Sequence, residues 1–350
     1  MSRSGSGATP RTAEYIRWAR RAPRGGAAPP QAHRRRRLST LRHPPAAPLA
    51  ALAALAVALA GPAASAGAQG TVIPPITELT QLRPMVDSSG YRATVVVYDL
   101  QRNKYQAVHG ERAARRLVPA STFKIVNALT ALDLGVVAGP AAVIPWDSVE
   151  RDRPEWNRDL DLREAFRVSA VPHFQHLARQ IGPARMQRAL DRAGYGNRNI
   201  GSVIDRFWLD GPLRISPLEQ VQMLTRLYRG ELPFSPRAIT TVRDIMVVEQ
   251  TPAYTVRAKT GWTNVTPDEV GWWVGWVERG PDVYVFATSL ESPNPTDAFG
   301  PARERITRRV LAALGAVDPP PAASPPPRVS RPAPTSPPAP TSPPAPPARP

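Results

Sequence analysis

Proline crowds the end of this 350-residue chain: 16 of its 43 prolines fall in residues 318–350, where Pro-Thr-Ser-Pro-Pro-Ala runs from Pro334 and again from Pro340. Such a segment is short of backbone donors and of apolar side chains. It is expected to be a solvated, polyproline-type tail that joins neither a sheet nor a core. The other end is equally closed to a fold. Residues 1–47 are rich in Arg, Pro, Gly and Ala without apolar periodicity. His33-Arg34-Arg35-Arg36-Arg37 then precedes the apolar stretch Pro48–Ala60 and the small-residue segment Gly61–Gly70. A basic region, a short apolar core and an Ala-x-Ala site describe an export signal cleaved after Ala66 or Ala68, or else a retained N-terminal anchor. The apolar stretch is too short for a comfortable membrane span. The expected organisation is a leader at 1–68, one folded domain at 69–317 and a tail at 318–350. The mature protein is expected to be periplasmic or secreted, with membrane contact only during export.

Charge follows the same division. Of the formal +17, residues 1–68 carry +10 and residues 318–350 carry +2, which leaves +5 for 69–317. A basic stripe for DNA or RNA is therefore not expected in the folded part. Cysteine is absent, which excludes disulfides, thiolate metal sites and a Cys nucleophile. Of 45 basic residues only Lys104, Lys124 and Lys259 are lysine, in keeping with a GC-rich coding background. Lysine can lose its proton when buried and arginine effectively cannot, so the three retained lysines are informative.

Within 69–317, Tyr91–Leu100 and Tyr105–His109 read as a hairpin across Arg102-Asn103-Lys104. Helical spacing runs over Leu117–Gly135, Ser169–Ile181, Ala184–Ala193 and Ala302–Leu314. Ser216-Pro217-Leu218-Glu219 is a capping box that opens a further helix to about Tyr228. Tyr254–Ala258, Val270–Glu278 and Val283–Leu290 read as strands. Strands at both ends with helices between predict an α+β fold: an antiparallel sheet flanked by helices, its first and last strands neighbours, with an inserted helical subdomain.

Ser121-Thr122-Phe123-Lys124 lies near the start of a predicted helix. A hydroxyl needs a base within hydrogen-bond reach, and a buried neutral lysine one turn away can be that base. Alone, Ser-x-x-Lys also describes a capping Ser with a surface Lys. It is joined by Lys259-Thr260-Gly261 at a strand end, by Ser169-Ala170-Val171 at a helix start, and by Phe207-Trp208-Leu209-Asp210-Gly211.

With these motifs and the segments Pro119–Leu129, Ser169–Gly182, Phe207–Gln220, Lys259–Trp262 and Gly271–Glu278, the sequence resembles the class D (oxacillinase-type) serine β-lactamases over about residues 75–315. The resemblance implies the serine β-lactamase and penicillin-binding transpeptidase-like fold, a small-molecule β-lactam substrate and no metal. It makes Ser121 the acylated nucleophile and Lys124 the base, carboxylated by carbon dioxide, with Trp208 holding the carbamate and Val171 as its apolar lid. It gives Ser169 a proton relay and sets Lys259 and Thr260 opposite. Gly261 lets a ligand approach the strand closely, and the Ser121 and Trp262 N–H groups form the oxyanion hole. Arg303 would bind the substrate carboxylate, and Trp156 would stand at the rim. Two related activities stay open beside hydrolysis: a penicillin-sensing receptor domain, which acylates but barely deacylates, and a cell-wall D,D-peptidase.

Other residues carry competing readings. Tyr195-Gly196-Asn197 is either a Tyr-x-Asn base or a structural turn, and the turn is favoured. His173 and His176 are spaced for a metal, but with so few other donors packing is favoured. Asp210 is read as capping a turn, and Trp272-Trp273-x-x-Trp276 as strand packing.

Overall fold

The computed structural model describes residues 74–264 and 267–319. The expected leader and its export signal lie outside the described residues, as does the tail from residue 320. Nine strands are described: β1 (Ile76–Glu78), β2 (Arg92–Asp99), β3 (Lys104–Val108), β4 (Val143–Ile144), β5 (Leu160–Asp161), β6 (Val247–Gln250), β7 (Thr255–Thr263), β8 (Glu269–Arg279) and β9 (Asp282–Ser292). Eight α-helices accompany them: α1 (Arg83–Asp87), α2 (Lys124–Asp133), α3 (Leu162–Arg167), α4 (Val171–Ile181), α5 (Pro183–Ala193), α6 (Pro217–Arg229), α7 (Pro236–Ile245) and α8 (Phe299–Ala313).

Seven strands form one sheet in the order β1-β3-β2-β9-β8-β7-β6. The first long strand and the last are neighbours, as expected: β2 pairs antiparallel with β9 from Arg92↔Glu291 to Asp99↔Tyr284. One pairing departs from the antiparallel expectation. β1 runs parallel to β3, so the sheet is mixed. Its three residues return beside β3 without a hairpin, and a segment that short carries too little alternation to be read from sequence.

Side chains alternate across a strand, so a strand buried on both faces reads as an unbroken apolar run. Val96 and Tyr98 of β2 join one core with α2, α4 and α6. Val95 and Val97 join a second core with α1 and α8. The tryptophan run divides in the same way: Trp272 and Trp276 face the helical layer, while Trp273 faces α8 and packs on Phe286 at 4.7 Å. Each such side chain, fully removed from water, contributes roughly 1.5–3 kcal/mol, so both layers anchor on the sheet.

The predicted helix at Leu117–Gly135 forms only in part. Residues Ala120–Phe123 make a 3-10 turn, and the α-helix begins at Lys124. Ala120 is held at φ 49°, a left-handed conformation that cannot lie inside an α-helix. The capping box opens α6 as expected, with Ser216 accepting from the Glu219 N–H and Glu219 accepting in return.

Candidate active site

The Ser121 turn is clamped from three directions. Trp272 Nε1 donates to Val118 O at 2.8 Å. Gln220 Nε2 donates to Thr122 Oγ1 at 2.8 Å, and Thr122 Oγ1 donates to Pro119 O at 2.8 Å. From β7, Gly261 comes so close that a Cβ there would meet Pro119 O at 3.0 Å and Thr122 Cγ2 at 3.1 Å. β6 pairs with β7 only as far as Arg257, so the following residues of β7 present their edge to the turn. This brings β7 at Gly261, the residue before Trp262, against the Ser121 turn, where the resemblance puts the oxyanion hole. Lys259, Thr260 and Gly261 lie inside β7 rather than at a strand end, because the strand continues to Thr263.

Lys124 Nζ lies 2.8 Å from Ser121 Oγ, hydrogen-bonded to it, and the lysine is fully buried. Burial drives its pKa well below the ordinary lysine value, and the charges of Lys259 and Arg153 push the same way. The Phe174 ring centroid is 5.4 Å from the amine. α4 is tied to α2 by Asn127 Nδ2 donating to Phe174 O at 3.1 Å. Val171, the first residue of α4, is buried in the same apolar core. Trp208 is buried against Phe123, 5.4 Å between centroids, and its indole N–H has no acceptor.

Ser169 projects from a turn at φ 56°, just before α4, so backbone strain rather than a regular helix start presents its hydroxyl. Lys259 Nζ donates to Ser169 Oγ at 3.0 Å and to Thr260 O at 3.0 Å, with Thr260 Oγ1 at 3.3 Å. Burial, then the charges of Arg303 and Arg153, bring Lys259 down to about 7. Between that value and the ordinary 10.5 the unfolded chain keeps a proton that the folded chain has released, so stability rises with pH. We expect wild type to gain stability over Lys259→Met as pH rises from 7 to 10, by at most ~1.4 kcal/mol per pH unit. Melting temperature against pH for both proteins measures it.

Arg303 lies over the Trp262 ring at 5.4 Å, with Nε donating to Gly300 O at 2.7 Å and Nη1 to Gly261 O. Trp262 Nε1 donates to Glu269 Oε2 at 2.6 Å. Burial raises the Glu269 carboxyl.

Trp156 corrects an expectation. It does not stand open at the rim: it is 3 % exposed, and its Nε1 donates to Val168 O at 3.1 Å, bracing the residue before Ser169. The neighbouring Arg153 covers its ring at 4.7 Å.

The rival readings resolve toward structure. Asn197 Nδ2 donates to Pro212 O and its Oδ1 accepts from Arg214 N, both at 2.9 Å. Gly196 has φ 52°, and a Cβ there would lie 2.1 Å from Arg214 O. Gly196→Ala is expected to destabilise by at least about 2 kcal/mol, a loss of roughly 4–8 °C in Tm, through strain and displaced backbone. Thermal unfolding checks it. His173 is buried with Nε2 3.0 Å from Arg158 O, and among the described residues no group of three metal-ligating side chains occurs. Asp210 pairs with Arg206 one turn before it.

Arg153, Gln220, Glu269 and Trp272 acquire their roles from tertiary placement, and no spacing in the sequence marks them.

A family model described as the penicillin-binding protein transpeptidase domain matches residues 93–312. Beta-lactamase OXA-5 of Pseudomonas aeruginosa is 41 % identical over 233 residues, 66 % of this chain and 86 % of its own. Beta-lactamase OXA-48 of Klebsiella pneumoniae is 43 % identical over 223 residues, 63 % of this chain and 83 % of its own. The crystal structure of the class D β-lactamase YbXI from Nostoc superposes with a TM-score of 0.66 at 43 % identity, covering 67 % of this chain and 99 % of that one. The family model spans β2 into α8 and so contains every residue of the cleft around Ser121, and with these relatives at 41 to 43 % identity over most of their length the chain belongs to the class D β-lactamases.

Proposed function

We propose that this enzyme opens the four-membered ring of penicillin-type β-lactams through an ester to Ser121 and then hydrolyses that ester, with a carbon-dioxide-derived carboxylate on Lys124 as general base. The observation that carries this reading is the Lys124 amine, buried and 2.8 Å from Ser121 Oγ. Among the described residues it forms no ion pair, and an ammonium so desolvated would be uncompensated. The pocket therefore favours the neutral amine, the form that can take up carbon dioxide. The acceptor-less Trp208 N–H and the apolar Val171 and Phe174 fit an added carboxylate. When present, that carboxylate supplies an anionic base beside the nucleophile.

The remaining steps rest on this chain's own groups. Ser121 loses its proton as it attacks the lactam carbonyl, and its own N–H with that of Trp262 receives the developing oxyanion. Ser169 Oγ, held by Lys259, hands a proton to the departing ring nitrogen. Arg303 takes the carboxylate on the fused ring. Residues 1–68 direct the chain out of the cytoplasm, so the site works in the periplasm or outside the cell.

Steady-state turnover of a chromogenic cephalosporin tests the reading. Many product molecules per enzyme are expected. A single stoichiometric burst would instead mark a penicillin sensor or a D,D-peptidase.

A further inference from the structure

Glu269 is the first residue of β8, and the register of the sheet decides what it faces. Trp262 of β7 pairs with Gly271 of β8, so Glu269, two residues before Gly271, lies on the same face and diagonal to the indole. Gly271 leaves that face open. A Cβ there would meet Arg303 Cδ at 2.8 Å and Phe299 Cε1 at 2.9 Å. Through this gap Arg303 of α8 reaches β7, where Nη1 donates to Gly261 O and the guanidinium lies 5.4 Å over the Trp262 ring. The benzene side of that indole is packed by α8: the Phe299 centroid is 5.6 Å away, and a Cβ on Gly300 would lie 3.1 Å from Trp262 Cζ3. Its nitrogen side is taken by Glu269, with Nε1 donating to Oε2 at 2.6 Å. Burial raises the Glu269 carboxyl, and the indole N–H pulls it back.

We infer that Glu269 is a positioning residue: by holding the Trp262 indole it fixes the platform on which Arg303 rests, and so prepares the guanidinium for the substrate carboxylate. The inference rests on the carboxylate role of Arg303 proposed above, and Glu269 itself touches no substrate. An arginine side chain has many rotamers, and a ring fixed beneath it narrows them before the substrate arrives. Such preordering favours binding. It serves the bound substrate and the transition state alike, because the fused-ring carboxylate keeps its charge while the lactam opens. Its loss should therefore raise KM and leave kcat nearly unchanged. The link needs an acceptor for the indole N–H. Glutamine supplies one and alanine does not.

The test measures kcat and KM for benzylpenicillin and for its methyl ester, which keeps the lactam and lacks the charge. For benzylpenicillin, Glu269→Ala is expected to raise KM about fivefold, the size of one lost hydrogen bond, with kcat within about twofold. Glu269→Gln should stay within about twofold of wild type in both. On the methyl ester Glu269→Ala should have no effect, whereas a merely structural role would move both substrates alike. Trp262→Phe keeps the backbone N–H and loses the indole donor, and it reads the same link should Glu269→Ala fold poorly. It should raise KM for benzylpenicillin, and Glu269→Ala added to it should change nothing more. An unchanged KM in Glu269→Ala, an equal loss on acid and ester, or additive effects of the two substitutions would overturn this inference alone. Wild type equally active on acid and ester would overturn the carboxylate role of Arg303, and this inference with it. Wild type inactive on both would overturn the proposed hydrolysis as well.

Discussion

Ser121→Ala is expected to lower kcat/KM for a chromogenic cephalosporin by at least about 10⁴-fold, since an acyl-transfer enzyme without its nucleophile keeps only binding and oxyanion stabilisation. The fold should survive. The hydroxyl removed makes one hydrogen bond, to Lys124, and its loss is about 1 kcal/mol or roughly 2–4 °C in Tm. Intact-protein mass spectrometry after mixing with benzylpenicillin gives the second readout, with an adduct expected on wild type and none on the variant. An adduct on Ser121→Ala would move the nucleophile elsewhere.

The second large effect concerns the base. Uptake of carbon dioxide requires the neutral Lys124 amine and is reversible. Activity should therefore fall in degassed, mildly acidic buffer and return on adding bicarbonate. The sign follows from the buried amine: acidification protonates it and removes the form that reacts. Lys124→Arg should be inactive although it keeps a positive charge, because guanidinium cannot lose its proton. Removing the Trp208 donor should weaken the carboxylate by ~1.5–3 kcal/mol, so roughly ten- to a hundredfold more bicarbonate is needed for half-recovery. Trp208→Phe is the cleaner variant, since Trp208→Ala also opens a core cavity worth about 3–5 kcal/mol. Bicarbonate titrations at fixed pH decide the matter. A flat response in wild type means a plain neutral lysine base.

What the sequence disclosed follows the range of the forces involved. The β2–β3 hairpin, the α6 capping box and the Ser121–Lys124 pair were legible because each is fixed within a few residues. β6 and α7 were not, since short segments on a sheet edge or under a loop are stabilised by what they pack against. The start of α2 was misjudged for a related reason. Ala120 is left-handed because the turn is clamped by Trp272, Gln220 and Gly261, which lie 98 or more residues away from it. The motif residues Ser121, Lys124, Ser169 and Lys259 lie together in the cleft, because the starts of α2 and α4 and the edge of β7 converge on it. Trp156 was placed in the right loop but on the wrong side of its own surface. Glu269 belongs to no motif, and only the pairing of β7 with β8 brings it to the Trp262 indole.

The pairing of β2 with β9 also sets a clock on the making of this enzyme. Arg92 must wait for Glu291, and Val118 for the indole of Trp272, before the sheet is continuous and the nucleophile turn is locked. A chain still being synthesised therefore carries Ser121 and Lys124 long before it can hold them 2.8 Å apart. Contacts of such long range form late and slowly. Catalytic competence arrives all at once, with the last strand, and a nascent chain lacking β9 has the residues of a lactamase without the enzyme.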